Sequence, residues 1–96
     1  EGMAGYLIFY YVLEEGEIAR IATAHSVRRQ GAASQMFRKL LDFCREQKIT
    51  RIMLEVRENN EAARQFYGKC GFTKDGIRRN YYENPKENAV LMSVNL

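Results

Sequence analysis

Residues Ile49–Val56 read as a buried-looking strand, apolar from Ile52 onward and interrupted by one acid, Glu55. The length suits a strand, and helical patterns flank it on both sides. Before it, Met36, Phe37, Leu40, Leu41 and Cys44 recur at steps of one, three, one and three. That is one apolar stripe of a helix, with Arg38, Lys39, Asp42, Arg45 and Glu46 on the remaining surface. After it, Asn59 or Asn60 can cap a second helix, EAARQFYGK, with Glu61 favourably placed in the first turn. Gly71 suits the left-handed position beyond the end of that helix. A strand between two one-sided helices predicts a layered α/β (α+β) domain.

The rest of the chain supplies more strands. Residues 3–13, MAGYLIFYYVL, have strand composition, and the charged segment Glu14-Glu15-Gly16-Glu17 predicts a turn into a second strand, Ile18–Thr23. Phe72–Thr73 and Ile77–Tyr82 read as extended segments around an Asp75-Gly76 turn. A loop at Asn84-Pro85 leads to a closing strand, Ala89–Leu96. The predicted order is β-β-α-β-α-β-β, with no internal repeat. At 96 residues this is one domain, long enough to build a core without staples.

Charge excludes little but directs the search. Fifteen Lys and Arg against twelve Asp and Glu give a net charge of +3, spread evenly along the chain. No basic block marks a nucleic-acid binder, and no apolar run approaches the roughly 20 residues of a membrane-spanning helix. Cys44 and Cys70 stand in no metal-ligand spacing, so no metal is expected, and free thiols in a cytoplasmic setting are the simpler reading. The chain opens Glu1-Gly2-Met3-Ala4 with no signal peptide.

Four segments could carry chemistry. Between Ile21 and Ser34 a strand gives way to a helix through the basic, glycine-containing stretch Val27-Arg28-Arg29-Gln30-Gly31-Ala32-Ala33-Ser34. A helix start exposes unpaired N–H groups that suit phosphate, and the same stretch also fits an ordinary β-α turn with solvated arginines. Glu55 is costly to bury as a carboxylate, which would suit a general base; alternation along the strand could equally place it on the open face. Tyr67 sits near the end of the second helix as either a core aromatic or a proton donor. Tyr81 and Tyr82 form either a cross-strand aromatic pair or the rim of a peptide cleft. His25 has no nucleophile or metal-type partner and reads as a loop residue.

Together these segments resemble the GCN5-related N-acetyltransferase (GNAT) family over all 96 residues. The resemblance rests on Arg28-Arg29-Gln30-Gly31-Ala32-Ala33, which follows the R/Q-x-x-G-x-G/A pattern, and on LEVRENNEAARQFYGKCGF from Leu54 to Phe72. IRRNYY followed by ENAVLM makes the chain most similar to ribosomal-protein N-terminal alanine acetyltransferases of the RimI type. The family fold implied is a mixed, mostly antiparallel sheet with a splayed central pair of parallel strands flanked by helices. The resemblance further implies that Ile21, Ala22 and Thr23 pair their backbone with the pantetheine arm of acetyl-CoA. Arg28, Arg29, Gln30, Gly31, Ala32, Ala33 and Ser34 would hold its pyrophosphate. Asn60 and Tyr67 would lie near its reactive end, Glu55 would be the general base, Tyr67 the general acid, and Tyr81 and Tyr82 the substrate-binding rim.

Two departures from the family pattern stand out. Thr23 replaces a residue that is usually hydrophobic. The first strand, a helical segment and a further strand expected before Met3 are missing, so the domain, residues 1–96, is expected to be N-terminally short with an uncovered strand edge. Such an edge invites pairing with another chain, a homo-oligomer included. The implied activity is acetyl transfer to the N-terminal α-amine of a protein or peptide, a ribosomal protein among the acceptors. The alternatives are the same chemistry on a lysine, polyamine or other small amine, and a non-catalytic coenzyme A-binding module completed by a partner chain.

Overall fold

A computed structural model describes residues 5–23 and 31–96. They form β1 (Gly5–Val12), β2 (Glu15–Thr23), α1 (Ala32–Gln47), β3 (Arg51–Arg57), α2 (Glu61–Lys69), β4 (Thr73–Tyr82) and β5 (Glu87–Asn95). Class and order match the prediction. The chain divides into two compact units, Glu1–Thr50 and Arg51–Leu96.

In the first unit β1 and β2 form an antiparallel hairpin running from Gly5 opposite Thr23 to Val12 opposite Glu15. The turn is therefore Leu13-Glu14, with Leu13 in the left-handed region at φ 56°, and not the predicted residues 14–17. Two-residue hairpin turns call for positive φ, and here Leu13 adopts it without a glycine. Gly16 has another task. It lies in β2 opposite Tyr11, and a Cβ built on it would fall 2.1 Å from the Phe9 ring. The glycine makes room for an aromatic ring rather than for a bend.

Helix α1 buries Phe37, Leu40 and Cys44, with Met36 and Leu41 half-buried beside them, which is the predicted stripe. Phe43 stands edge-on to Phe9 and Tyr11, with ring centroids 6.4 and 5.4 Å away, and so anchors the helix to β1. Lys48 ends the helix at φ 60°, its N–H bonded to Arg45 O, while Ile49 N bonds to Cys44 O at 2.9 Å. These bonds satisfy the last helical carbonyls and turn the chain out of the helix. Ile49 and Thr50 consequently belong to the connection, and β3 starts at Arg51 instead of Ile49.

In the second unit β5 pairs antiparallel with both β3 and β4. Alternation along β3 is clean: Ile52, Leu54 and Val56 are buried, while Met53, Glu55 and Arg57 are half-buried on the other face. Asn60 is the cap of α2, its Oδ1 accepting from Ala63 N at 3.1 Å. Tyr67 and Phe72 are buried, their ring centroids 5.4 Å apart, and Gly71 takes the predicted left-handed position at φ 99°. The Asp75-Gly76 pair does not interrupt the strand. Lys74 faces Met92 and Gly76 faces Leu91, so Asp75 is the extra residue of a bulge inside one continuous β4. A second irregularity separates Arg78 from Tyr82, where Asn80 has φ 51°.

No helix among the described residues is long and apolar enough to cross a membrane, and no described cluster of His, Cys, Asp or Glu could hold a metal ion. Cys44 and Cys70 are free, and burial pushes both thiols up. That disfavours the thiolate a nucleophile needs.

Candidate functional site

The second unit brings Glu55, Tyr81 and Tyr82 together on its sheet, whereas Tyr67 and Asn60 belong to α2 and its cap. Glu55 lies opposite Leu91 on β5, and Arg57 lies opposite Ala89. Ala89 in turn faces Arg78 on β4, so a fully buried alanine separates two arginines across three strands. The small side chain leaves room for long ones to lean over it. Arg78 Nη2 reaches Glu55 Oε2 at 3.4 Å, and its guanidinium also sits 4.9 Å from the centroid of the Tyr81 ring. Tyr81 meets Tyr82 edge-to-face at 5.0 Å.

The sequence thus left Glu55 open between two faces, and the structure places it on the half-buried one, its side chain 21% exposed. It is not sealed in the core. An ion pair with an arginine, rather than an apolar shell, surrounds the carboxylate. Burial, followed by the charges of Glu55 and Tyr81, pushes the Tyr82 phenol up, which registers how near the tyrosine pair lies to the acid.

A second arginine organises the same face. Arg57 Nη1 donates to Glu87 Oε1 at 3.1 Å and to Pro85 O at 3.2 Å, and Nη2 reaches Glu83 O at 3.5 Å. Its guanidinium carbon lies 4.2 Å from the centre of the Tyr82 ring. The other oxygen of Glu87 accepts from the backbone N–H of Asn59, next to the Asn60 cap. Asn88 adds a parallel tie: its Oδ1 accepts from Asn80 N at 2.9 Å and its Nδ2 donates to Glu58 Oε1 at 3.2 Å. The sequence reading missed Arg57, Arg78, Glu87 and Asn88. Arg57 was within reach, since residues two apart in a strand share a face and Glu55 was already singled out.

Tyr67 is only 5% exposed and packs between Phe66 and Phe72, each 5.4 Å away. Burial, with the Cys70 thiol adding to it, pushes its phenol up to about 12. The group therefore stays protonated across the ordinary working range. Asn60 is half committed, since its Oδ1 already caps α2 and only its amide Nδ2 remains to meet a ligand.

In the first unit the candidate residues act through backbone. Ile21, Ala22 and Thr23 end β2 opposite Leu7, Tyr6 and Gly5. Gly31 caps α1 at φ 80° and ψ 20°, with nothing within 4 Å of where a Cβ would stand. No side chain caps the helix, and its first turn, which includes Ala33 and Ser34, carries no acid. The orphan N–H groups of this 16-residue helix thus meet no competing acceptor from a cap. Arg28, Arg29 and Gln30 lie outside the described residues, as does His25.

Comparison with known proteins places the chain in a family. The sequence pattern of the Acetyltransferase (GNAT) family matches residues 1–72. The [ribosomal protein bS18]-alanine N-acetyltransferase of Haemophilus influenzae is 37% identical over 95 residues, 96% of this chain and 64% of the relative. The crystal structure of the ribosomal-protein-S18-alanine N-acetyltransferase from Escherichia coli is 34% identical with a TM-score of 0.88, over 97% of this chain and 61% of that one. Arabidopsis thaliana Naa50, solved with the bisubstrate analogue CoA-Ac-MVNAL, is 26% identical with a TM-score of 0.87, over 97% of this chain and 66% of that one. The chain therefore spans less than two thirds of the length of these relatives. With the glycine-led helix start, the acid-bearing strand and the asparagine-capped helix all in family order, the chain belongs to the GNAT acetyltransferase family.

Proposed function

We propose that this chain is the acetyl-CoA-binding and proton-transferring part of a cytoplasmic N-acetyltransferase acting on the N-terminal α-amine of a protein. The observation that carries the reading is the assembly of Glu55, Arg78, Tyr81 and Tyr82 on one face of the second unit. A proton acceptor stands beside paired rings able to seat an extended peptide. The relatives named as ribosomal-protein-alanine N-acetyltransferases, and the one solved with the bisubstrate analogue CoA-Ac-MVNAL, support a peptide acceptor.

The residues present fit acetyl-CoA. Gly31 offers open backbone, and the uncapped start of α1 offers N–H donors and the positive end of the helix dipole to a pyrophosphate. Ile21, Ala22 and Thr23 would supply strand backbone to the pantetheine amides, with Arg28 and Arg29 adding charge. Acetyl-CoA supplies the activated acetyl thioester. The chain's own residues would manage protons. An α-amine has a pKa near 8, so much of it is protonated at neutral pH and must lose a proton before it can attack. Glu55 Oε2 would accept that proton, directly or through water, while Arg78 holds the carboxylate toward the tyrosine rim. Tyr67, held neutral, would offer its O–H to the departing sulfur. Asn60 Nδ2 would orient the reacting end of the coenzyme while its Oδ1 stays on Ala63.

Isothermal titration with acetyl-CoA, run beside turnover of a peptide with a free N-terminus, tests this reading. The expected result is binding together with turnover. Binding without turnover would instead support a coenzyme A-binding module, and absence of binding would remove the reading.

A further inference from the structure

We propose that Arg57 is the positioning residue of the Tyr81–Tyr82 rim, fixing both tyrosines by clasping the β4–β5 connection to the start of α2. The inference rests on the reading of those tyrosines as the peptide seat. One guanidinium makes four contacts that converge on the connection. It donates to Glu87 Oε1 at 3.1 Å, to Pro85 O at 3.2 Å and to Glu83 O at 3.5 Å, and its carbon stands 4.2 Å from the centre of the Tyr82 ring.

The partner of the clasp is unusual in its burial. The Glu87 side chain is 10% exposed, whereas that of Arg57 is 36% exposed. A carboxylate so far from water needs its charge compensated, and both of its oxygens are engaged, one by Arg57 and the other by Asn59 N–H. Through that second bond the clasp reaches the residue adjoining the Asn60 cap. Tyr82, directly opposite Glu87 in the ladder, is thus held by Arg57 over its ring and by the T-shaped contact with Tyr81. A rim built at the end of a strand gains a fixed geometry in this way without a core of its own.

Only a planar fork can make these contacts together; an ammonium would keep the charge near Glu87 and lose the divergent donors and the stacking. Arg57→Lys is therefore the informative variant, because it leaves Glu87 compensated and the fold intact. It should raise the KM for an acceptor peptide about tenfold, with kcat and the acetyl-CoA dissociation constant held close to wild type. Glu87→Gln, which frees the clasp from the other side, should move the same KM in the same direction by less. Tyr81→Ala and Tyr82→Ala serve as references. If they raise the peptide KM and neither Arg57→Lys nor Glu87→Gln does, the inference is overturned and the peptide seat stands. If the tyrosine variants leave the KM unchanged, the seat itself is wrong and the inference falls with it. A parallel loss of kcat, peptide KM and acetyl-CoA affinity in Arg57→Lys would mean a general structural role and would also overturn it.

Discussion

The two units approach their tasks with different materials. In residues 1–50 the candidate site is backbone: strand amides at Ile21–Thr23, a left-handed Gly31, and the uncapped start of α1. In residues 51–96 it is side chain: Glu55 held by Arg78, Tyr82 held by Arg57, and Tyr67 sealed among aromatic rings. Backbone donors are present in any sequence that folds the same way, so the first region should tolerate side-chain changes except at Gly31 and at the charged pair Arg28 and Arg29. Donors and acceptors at side-chain tips exist only while each residue and its neighbours are in place. The second region should therefore be brittle.

The largest effect is expected at Glu55. Replacement by Gln keeps the shape and removes the proton acceptor, and steady-state kinetics should show kcat falling by about 10²–10⁴-fold, the span of general base catalysis. Acetyl-CoA affinity, measured by calorimetry, should not change. Next comes Tyr67→Phe, which retains the packing with Phe66 and Phe72 and deletes only the hydroxyl; about 10²-fold in kcat is expected.

Tyr67 also fixes the sign of a pH effect. The catalytic form is the protonated one, and burial moves its loss up to about 12. The wild-type kcat profile should consequently show no falling limb between about pH 8 and pH 10, where an ordinary phenol would already be losing its proton. An alkaline limb in that interval that vanishes in Tyr67→Phe would show that the phenol titrates there and is not held neutral by burial, whereas a limb that persists in the variant would belong to another group.

Smaller effects belong to the first unit and sharpen the contrast. Gly31→Ala meets no steric obstacle, yet it forces a side chain into the left-handed region at φ 80°, a cost of about 1 kcal/mol. Acetyl-CoA binding by calorimetry should weaken about fivefold, with kcat at saturation preserved. Ser34→Ala, in the first turn of a helix that uses no side-chain cap, should alter affinity by less than about twofold. A large loss there would show that the hydroxyl, and not the backbone, carries the contact.

How much of this was legible in the sequence follows the same division. The helices and their apolar stripes could be read because burial of Phe37, Leu40 and Cys44 imposes a period on the chain. The glycine-led helix start was legible for a related reason, since a backbone site leaves its mark in the one residue type that permits the conformation. Two turns were misplaced because local turn preference lost to packing. Gly16 serves the Phe9 ring, and Asp75-Gly76 forms a bulge within a strand already committed to β5. Arg57 could have been read from its place two residues after Glu55, but Arg78 was illegible, because charge in a strand looks like solvated surface until the cross-strand register brings Arg57 and Arg78 to either side of Ala89. Glu55 drew notice as an acid among apolar residues, but only the fold showed that its partner comes from twenty-three positions further along, at Arg78.

The most direct test of the account is a competition within one molecule. A peptide with a free N-terminal α-amine and an internal lysine is offered together with acetyl-CoA, and the product is mapped by fragmentation mass spectrometry. The account predicts a single acetyl group on the α-amine, lost with Glu55→Gln. An acetyl group on the lysine side chain, or on both amines equally, would contradict it.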